Sequence, residues 1–218
     1  KEEEKLYNYL KENYKDLPYN INIINKNKIK TIGEDHLIFK LKDKSFKVSK
    51  DDFYQVNDYQ IENLYENARN YLEDNKKLLD LFCGSGISSI AVNDDNIVGV
   101  EINKSAIEDA KENARRNKLE NYKFIAKNAK YIDQKFIEKE KIKALTVDPP
   151  RAGLDKEIIK TLAKTKIKNI IYISCNPQTL ARDIKRFMDR GYELREIKAV
   201  DMFPQTMQVE SVVLMSRK

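Results

Sequence analysis

Three short segments carry side chains that could do chemistry, and each follows a run of apolar residues. An apolar run over residues 170–174 ends at Cys175 and is followed by an Asn-Pro pair. Residues 148–151 (Asp-Pro-Pro-Arg) and residues 83–86 (Cys-Gly-Ser-Gly) follow two further runs. Ligands bind at the carboxyl ends of the strands in open α/β sheets. The three segments therefore predict a cofactor site beside a nucleophile.

The glycine turn indicates a ligand-binding loop. Gly84 and Gly86 would let the backbone approach a ligand at the start of a helix. Glu101 ends the next apolar run, where an acid can accept hydrogen bonds from ribose hydroxyls or can simply be a solvated strand end. Ser89 stands where the dinucleotide fingerprint needs a third glycine. An adenosyl ligand without phosphates, S-adenosylmethionine, therefore fits better, and Asn128 could bind its adenine edge or be an ordinary turn residue.

The two remaining segments predict the reactive groups. The prolines between Asp148 and Arg151 fix the backbone and would hold both side chains at a strand tip, although a plain turn is the alternative. Cys175 precedes a predicted helix start, which would lower its thiol pKa, whereas a buried inert cysteine is the other interpretation. Cys83, inside the glycine turn, is interpreted as inert.

Composition limits the class of protein only loosely. The chain has 218 residues and a formal net charge of +6, which favours a polyanionic partner, although general enrichment in Lys, Asn and Ile explains it equally well. Two cysteines can form neither a disulfide framework nor a four-thiolate cluster, so we expect no metal and a cytoplasmic location. No apolar run approaches the roughly 18 residues of a membrane span, and we expect no membrane association. The chain opens at Lys1 without Met, and we expect a piece of a longer protein.

The periodicity of apolar residues predicts an α/β fold with two parts. Residues 1–57 form an α+β appendage, with a helix over 2–14, β-like runs over 21–24, 29–32, 37–41 and 46–48, and turns over 33–35 and 42–44. Residues 58–218 form the main domain, which opens with a helix over 58–72. Its predicted strands lie near 77–82, 97–101, 122–126, 143–148 and 169–174, with helices near 86–92, 103–117, 131–138, 155–164 and 178–190. A final antiparallel pair near 192–200 and 209–216 completes a Rossmann-like, mainly parallel seven-stranded sheet.

Several motifs resemble those of one enzyme family. Residues 174–183 (Ser-Cys-Asn-Pro-Gln-Thr-Leu-Ala-Arg-Asp) look like the nucleophile motif of the RNA uracil-5-methyltransferases. Residues 202–210 resemble the family's closing motif, whose glutamate is the general base, and residues 53–57 resemble a segment that precedes its catalytic core. Residues 79–86 and 148–153 match its cofactor and substrate loops. The motifs stand in family order from about residue 50 to the end of the chain.

The resemblance implies a class I methyltransferase domain in which Cys175 is the nucleophile and Glu210 the base. It implies RNA, either 23S ribosomal RNA or transfer RNA, as the partner of a monomeric enzyme that uses S-adenosylmethionine. The residues that would line the pocket for cofactor and target base are Gln55, Phe82, Glu101, Asn128 and Asp148, with Gly84 and Gly86 beside the cofactor and Arg151 beside the base.

The sequence departs from the family at a few places. Gln208 stands where the family often has His, and Ile87 stands where relatives often place Asn. The sequence shows neither the amino-terminal RNA-binding barrel common in the family nor the four cysteines of its iron–sulfur members. We therefore also consider a catalytically weak RNA-binding fragment.

Two other methyltransferase classes use related sites. An adenine amino-methyltransferase carries an Asp/Asn-Pro-Pro-aromatic motif and needs no cysteine, whereas here Arg151 follows the prolines and Cys175 lies downstream. A cytosine-5-methyltransferase should pair its cysteine with an acid that protonates the ring nitrogen, and no such motif is visible.

Overall fold

The computed structural model describes all of the chain except residues 1, 15–19, 26–27, 34–35, 51, 73–75 and 166. Its α-helices are α1 (Glu2–Asn13), α2 (Asp58–Arg69), α3 (Ile87–Val92), α4 (Lys104–Arg116), α5 (Gln134–Lys139), α6 (Lys156–Lys164) and α7 (Pro177–Met188). Its strands are β1 (Asn20–Asn25), β2 (Lys28–Gly33), β3 (His36–Leu41), β4 (Lys44–Ser49), β5 (Leu78–Leu81), β6 (Ile97–Glu101), β7 (Tyr122–Ala126), β8 (Ala144–Val147), β9 (Asn169–Ser174), β10 (Tyr192–Val200) and β11 (Glu210–Arg217).

The main sheet has seven strands in the order β10-β11-β9-β8-β5-β6-β7. The five strands from β5 to β9 run parallel, and β11 and β10 complete one side as antiparallel strands. The chain builds outward from β5 through β6 to β7, and then returns to place β8 on the other side of β5. The predicted fold class is thereby confirmed. The carboxyl ends of β5 and β8 flank the point where the strand order reverses, which is where open α/β sheets bind ligands.

Helices cover both faces of this sheet because its central strands are apolar on both sides. Every residue of β5 and β8 is buried. Leu78 points into a cluster with α2, α3 and α4, whereas the next residue, Leu79, points into a second cluster with α5, α6 and α7. The alternation that sends neighbouring residues to opposite faces therefore produces two cores from one apolar run.

The β3–β4 hairpin is bonded to one edge of α4 through polar side chains. Asn117, Asn113 and Asp109, each one helical turn from the next, accept hydrogen bonds from the backbone N–H groups of β4 at residues 45, 47 and 49, over 2.6–3.0 Å. The two asparagine amides also donate to the carbonyl oxygens of residues 45 and 47, each at 2.9 Å. The helix thus satisfies β4 as a neighbouring strand would.

The same hairpin contributes Leu41, Phe46 and Val48 to the core that α2, α3 and α4 share. The division of the chain at residue 57 stays a prediction, but β3 and β4 are packed against the main domain. The predicted hairpin turn after β3 is confirmed at Lys42, which adopts a positive φ of 54°. The turn predicted over 33–35 falls partly on residues 34–35, outside the described residues. β1 and β2 pair antiparallel, as expected for this part of the chain.

Local capping explains where the observed helices differ from the predicted ones. The helix predicted over 131–138 is divided into a 3₁₀ turn (Ala129–Tyr131) and α5. Asp133 starts α5 by accepting a hydrogen bond from Phe136 N at 2.8 Å. The helix predicted over 58–72 ends as α2 at Arg69. Among the described residues, no helix is both long and apolar enough to cross a membrane.

Candidate active site

A cavity of about 550 Å³ opens at the carboxyl ends of β5, β8 and β9. Its walls come from residues 53–56, the loop after β5 with the start of α3, the end of β6, the loop after β8, and four single residues. Those four are Tyr65, Cys175, Phe203 and Glu210. A larger concavity of about 760 Å³ lies between the β3–β4 turn and the carboxyl ends of α2 and α4. That second concavity contains none of the residues predicted to bind or react.

The loop after β5 presents backbone to the cavity. Gly84 has a φ of +51°, and a Cβ atom built on it would meet nothing within 4 Å. Phe82 also lines the cavity and adopts a positive φ of 69°, which is uncommon for a residue with a side chain. The loop therefore leaves room for a ligand directly above its backbone.

Gly86 makes a packing contact that was not predicted from the sequence. A Cβ there would lie 3.0 Å from the Ala110 Cβ and 3.1 Å from the Phe124 ring, and its φ is +78°. Gly86 lets the loop pack against α4 and β7, and it is not among the residues that line the cavity. Its contact with a cofactor stays a prediction.

Glu101 joins the end of β6 to the glycine loop. Its Oε1 accepts hydrogen bonds from Ile102 N at 2.6 Å and Asn103 N at 2.9 Å, and its Oε2 accepts one from Gly84 N at 3.4 Å. The carboxylate is thereby oriented at the cavity wall. This is the position expected for a group that binds ribose hydroxyls.

Asn128 lies outside the cavity lining. It follows β7 by two residues, and its Oδ1 accepts a hydrogen bond from Lys130 N at 3.0 Å, which caps the 3₁₀ turn. Of the two interpretations given for this residue, its observed contact is that of a turn asparagine. A role in binding adenine stays a prediction.

The fold brings Cys175 and Glu210 together from distant parts of the chain. Cys175 follows β9, and Glu210 is the first residue of β11, which pairs with β9 so that Ser211 faces Ser174. In an antiparallel pair, the residue before Ser211 lies level with the residue after Ser174. Both side chains line the cavity. β11 occupies an inner position, and β10 forms the edge of the sheet.

Burial has prepared the Glu210 carboxyl for proton transfer. The residue is 4% exposed, and its Oε2 has no hydrogen-bond partner among the residues that the structure describes. Burial raises the pKa of Glu210 to about 7, although the positive charge of Arg151 opposes this rise. The pKa of Asp148 is raised well above its usual value by burial and by the negative charges of Glu210 and Asp80.

The expectation that a helix amino terminus lowers the pKa of the Cys175 thiol is wrong. Burial and the carboxyl groups of Glu210 and Asp148 raise that pKa, and Arg151 opposes them by its charge and a hydrogen bond. α7 does begin just after the thiol, as predicted. Its first free N–H groups, however, are bonded to the Asn176 side chain, which accepts from residues 178 and 179 at 3.1 and 3.4 Å. Burial and the two carboxyl groups together therefore outweigh Arg151.

Two further polar side chains complete this end of the cavity. Gln55 is 5% exposed, and its Oε1 is buried without a hydrogen-bond partner in the described part of the chain. Arg151 donates from Nη2 to Gln208 Oε1 at 2.7 Å. Gln208, at the position where the family often has His, thus holds the guanidinium that lies beside the thiol.

One buried carboxyl beneath the cavity was not singled out from the sequence. Asp80 lies in β5 and accepts hydrogen bonds from Ser88 Oγ at 3.0 Å and Ser89 Oγ at 2.5 Å. Burial raises its pKa to about 6, against the lowering effect of these hydroxyls. The available signal was an acidic residue inside an apolar strand, with two serines in the helix that follows.

Comparison with known proteins agrees with this site. The whole chain, residues 1–218, matches the tRNA (uracil-5-)-methyltransferase family. The chain belongs to this family. An uncharacterized RNA methyltransferase of Caldanaerobacter subterraneus subsp. tengcongensis is 40% identical over 190 residues, covering 85% of this chain and 42% of that protein. A second, from Staphylococcus aureus, is 39% identical over 214 residues and covers 96% of this chain and 47% of that protein. The chain therefore spans less than half the length of these relatives.

Two solved methyltransferase structures share the fold of this chain. The Pyrococcus abyssi tRNA (uracil-54, C5)-methyltransferase, in complex with S-adenosyl-L-homocysteine, superposes with a TM-score of 0.76 at 31% identity, covering 91% of this chain and 49% of that one. Methanocaldococcus jannaschii Trm5, in complex with adenosine, superposes with a TM-score of 0.68 at 19% identity, covering all of this chain and 67% of that one. The second likeness concerns the fold alone. The resemblance identified from the sequence is confirmed at the level of the family.

Proposed function

We propose that this chain is the catalytic part of an S-adenosylmethionine-dependent RNA (uracil-5-)-methyltransferase, which forms 5-methyluridine through a covalent bond between Cys175 and the base. The observation that carries the proposal is the pairing of the Cys175 thiol with the buried Glu210 carboxyl in one cavity. Carbon 5 of uracil is a weak nucleophile and carries a proton that must leave. A thiol and a base at one site meet both requirements.

The other end of the cavity suits the cofactor. The open space above Gly84 accommodates an adenosyl ligand, and the Glu101 carboxylate is oriented toward the place where ribose hydroxyls would bind. When bound, S-adenosylmethionine supplies the electrophilic methyl group that the activated carbon 5 accepts. No phosphate-binding cradle is needed, which agrees with Ser89 standing at the third glycine position.

The reaction begins at Cys175. Its thiolate forms a bond to carbon 6 of the uracil, and the pair of electrons of the 5,6 double bond moves toward carbon 5 and the carbonyl oxygen at carbon 4. Arg151 assists because its positive charge opposes the raised pKa of the thiol. The Gln55 amide and the Asp148 carboxyl face the same space and bind the base; a carboxyl with a raised pKa can donate a hydrogen bond to a carbonyl oxygen.

Glu210 completes the reaction after carbon 5 has gained the methyl group. Its carboxylate takes the proton from carbon 5, the double bond re-forms, and the bond between carbon 6 and Cys175 breaks with the electron pair returning to sulfur. A base is most effective when its pKa lies near the working pH, and the pKa of Glu210 is about 7.

The proposed substrate is RNA, and the target base must enter the cavity to reach Cys175 and Glu210. A uridine can reach it only when flipped out of a helix or held in an unpaired loop. The mouth exposes the apolar side chains Phe53 (72% exposed), Val56 (70%) and Ile102 (66%), which suit contacts with unstacked bases. Both transfer RNA and 23S ribosomal RNA are compatible with these features. A cytoplasmic monomer remains our expectation.

The test is to trap the covalent intermediate. The full-length enzyme is incubated with S-adenosylmethionine and RNA carrying 5-fluorouridine, since fluorine cannot leave as a proton. We expect a stable protein–RNA adduct, with the nucleotide mapped to Cys175 by peptide mass spectrometry. Cys83→Ala serves as the matched control and should still form the adduct. An adduct on Cys83, or none with any RNA substituted at the methylated uridine, would overturn the proposal. Mapping 5-methyluridine in RNA from cells lacking the full-length gene identifies the target.

A further inference from the structure

One face of α7 is bonded to the loop that carries Arg151. The carbonyl oxygen of Arg151 accepts hydrogen bonds from Asn176 Nδ2 at 3.1 Å and from Thr179 Oγ1 at 3.0 Å. Asn176 is the residue next to Cys175, and Thr179 lies one turn further along the chain. The backbone of Arg151 is therefore tied to the segment that carries the thiol.

The next turn of α7 holds the following loop residues in the same way. Arg182 Nη2 donates to the carbonyl oxygen of Ala152 at 2.8 Å, and the Asp183 carboxylate accepts from Leu154 N at 2.7 Å. Between them, Gly153 has a φ of +74°, and a Cβ there would lie 2.5 Å from Asp183 Oδ2. Only a glycine allows the loop to lie so close to the helix.

The anchor of this contact is the fully buried Asp183. Its carboxylate also accepts from Tyr172 Oη at 2.9 Å, from Arg182 Nε at 2.9 Å and from Arg186 Nη1 at 3.2 Å. A buried carboxylate with this many partners is expensive to disturb. It provides a fixed support on which the loop and the start of α7 are aligned.

The far end of the loop acts at the active site. Arg151 lines the same cavity as the Cys175 thiol, opposes the rise of the thiol pKa, and donates from Nη2 to Gln208 Oε1 at 2.7 Å. The other charged groups that face the thiol are the carboxyl groups of Glu210 on β11 and Asp148 in the same loop as Arg151. Both disfavour the thiolate. Burial disfavours the thiolate as well, and the Arg151 guanidinium is the group that opposes these effects.

We propose that Thr179 and Arg182 are positioning residues, which hold the backbone of the 151–154 loop so that the Arg151 guanidinium stays against the Cys175 thiol. The proposal rests on the proposed function only in taking Cys175 as the nucleophile. Thr179 is not itself among the residues that line the cavity, and it acts through the carbonyl group of Arg151.

The test follows the thiol itself, without RNA or methyl transfer. The rate of Cys175 alkylation by iodoacetamide is measured against pH, and peptide mass spectrometry separates Cys175 from the buried Cys83. Arg151→Met should raise the thiol pKa, because the opposing positive charge is lost. Thr179→Val, which keeps the shape and removes the donor, should raise it in the same direction by about half a unit, or about threefold less thiolate below the pKa. Thr179→Ser should restore the wild-type profile.

A double variant decides whether Thr179 acts through Arg151. In the Arg151→Met background, Thr179→Val should cause no further shift, because residues that act through one another are not additive. An equal shift in both backgrounds, no shift in either, or a Ser variant that behaves like Val would overturn the proposal. Alkylation needs only a thiolate, so a failure to trap an RNA adduct would contradict the proposed function and leave this result standing.

Discussion

The two ends of the cavity are built on different principles. At the cofactor end, Glu101 is bonded to three backbone N–H groups, and all of these contacts come from residues 84–103. At the reaction end, the buried Glu210 Oε2 and Gln55 Oε1 have no hydrogen-bond partner within the described ranges, and Asp148, Cys175 and Glu210 all have raised pKa values. These reactive groups come from three separate parts of the chain.

The difference indicates how each end of the cavity is prepared for its ligand. A loop whose polar groups are already satisfied is ready for its ligand and changes little on binding. Buried polar atoms without partners and crowded carboxyl groups destabilise the folded state, and this cost is recovered only when a substrate supplies the missing partners. The cofactor end should therefore be the more robust of the two. The reaction end should respond more strongly to substitution and pH.

The largest expected effect is a loss of methyl transfer that leaves cofactor binding unchanged. Cys175→Ala removes the nucleophile, so methyl transfer by the full-length enzyme should fall by about 10⁴-fold or more. S-Adenosylmethionine binding, measured by isothermal titration, should stay within about twofold of wild type, because the thiol is not needed at the cofactor end. A large loss of cofactor affinity in this variant would mean that the two ends are not independent.

A second variant divides the reaction end into nucleophile and base. Glu210→Gln should lower turnover by about 10²–10⁴-fold, the usual contribution of a general base. Because Cys175 still attacks the base, the enzyme should accumulate as a methylated covalent complex with RNA, visible as a shifted band on a denaturing gel. If turnover is normal, or if the enzyme is inactive without a trapped complex, Glu210 is not the base that acts after methyl transfer.

The free energy of unfolding should depend on pH because the pKa of Glu210 is raised in the folded state. The folded pKa of Glu210, about 7, lies above its ordinary value of 4.5, so the folded state binds more protons than the unfolded state between these values. Stability contributed by this group should therefore fall as pH rises from about 4.5 to about 7, by at most about 3 kcal/mol, and level off above that.

Urea denaturation at pH 5 and pH 8 checks this sign. Wild type should lose more stability over the interval than Glu210→Gln, in which the titrating group is gone. Asp148 and Cys175 titrate in both proteins, but in the variant they lose the neighbouring charge of Glu210. The difference between the two proteins therefore reports Glu210 together with its effect on these two neighbours. Identical losses would show that the Glu210 carboxyl is not held in an unfavourable environment.

The smallest expected effect is at the cofactor end. Glu101→Ala should weaken S-adenosylmethionine binding about tenfold or more, as expected for hydrogen bonds to a charged group. Glu138→Ala is a suitable control, because that glutamate is exposed and its side chain accepts a hydrogen bond from Gln134 in the same helix. Equal affinities of the two variants would remove Glu101 from the site.

Local sequence determined most of the framework. The predicted bounds of β6, β7 and β9 match the observed ones. β6 and β9 lie inside the sheet, and strands buried on both faces need continuous apolar residues. The loops at residues 83–86 and 148–151 could be predicted equally well, since Gly permits unusual backbone conformations and Pro restricts the backbone. The roles of nucleophile and base were predicted for Cys175 and Glu210 only through motifs shared with a family, and they stay predictions.

Tertiary structure alone decided how these residues meet. The pairing of β11 with β9 places Glu210 beside Cys175, and no local pattern encodes that register. The direction of the Cys175 pKa shift was mispredicted because it depends on burial and on the carboxyl groups of residues 148 and 210, which are distant in sequence. The attachment of the β3–β4 hairpin to α4 through asparagine side chains was equally invisible. Electrostatic and polar contacts act through space, whereas sequence patterns report neighbours along the chain.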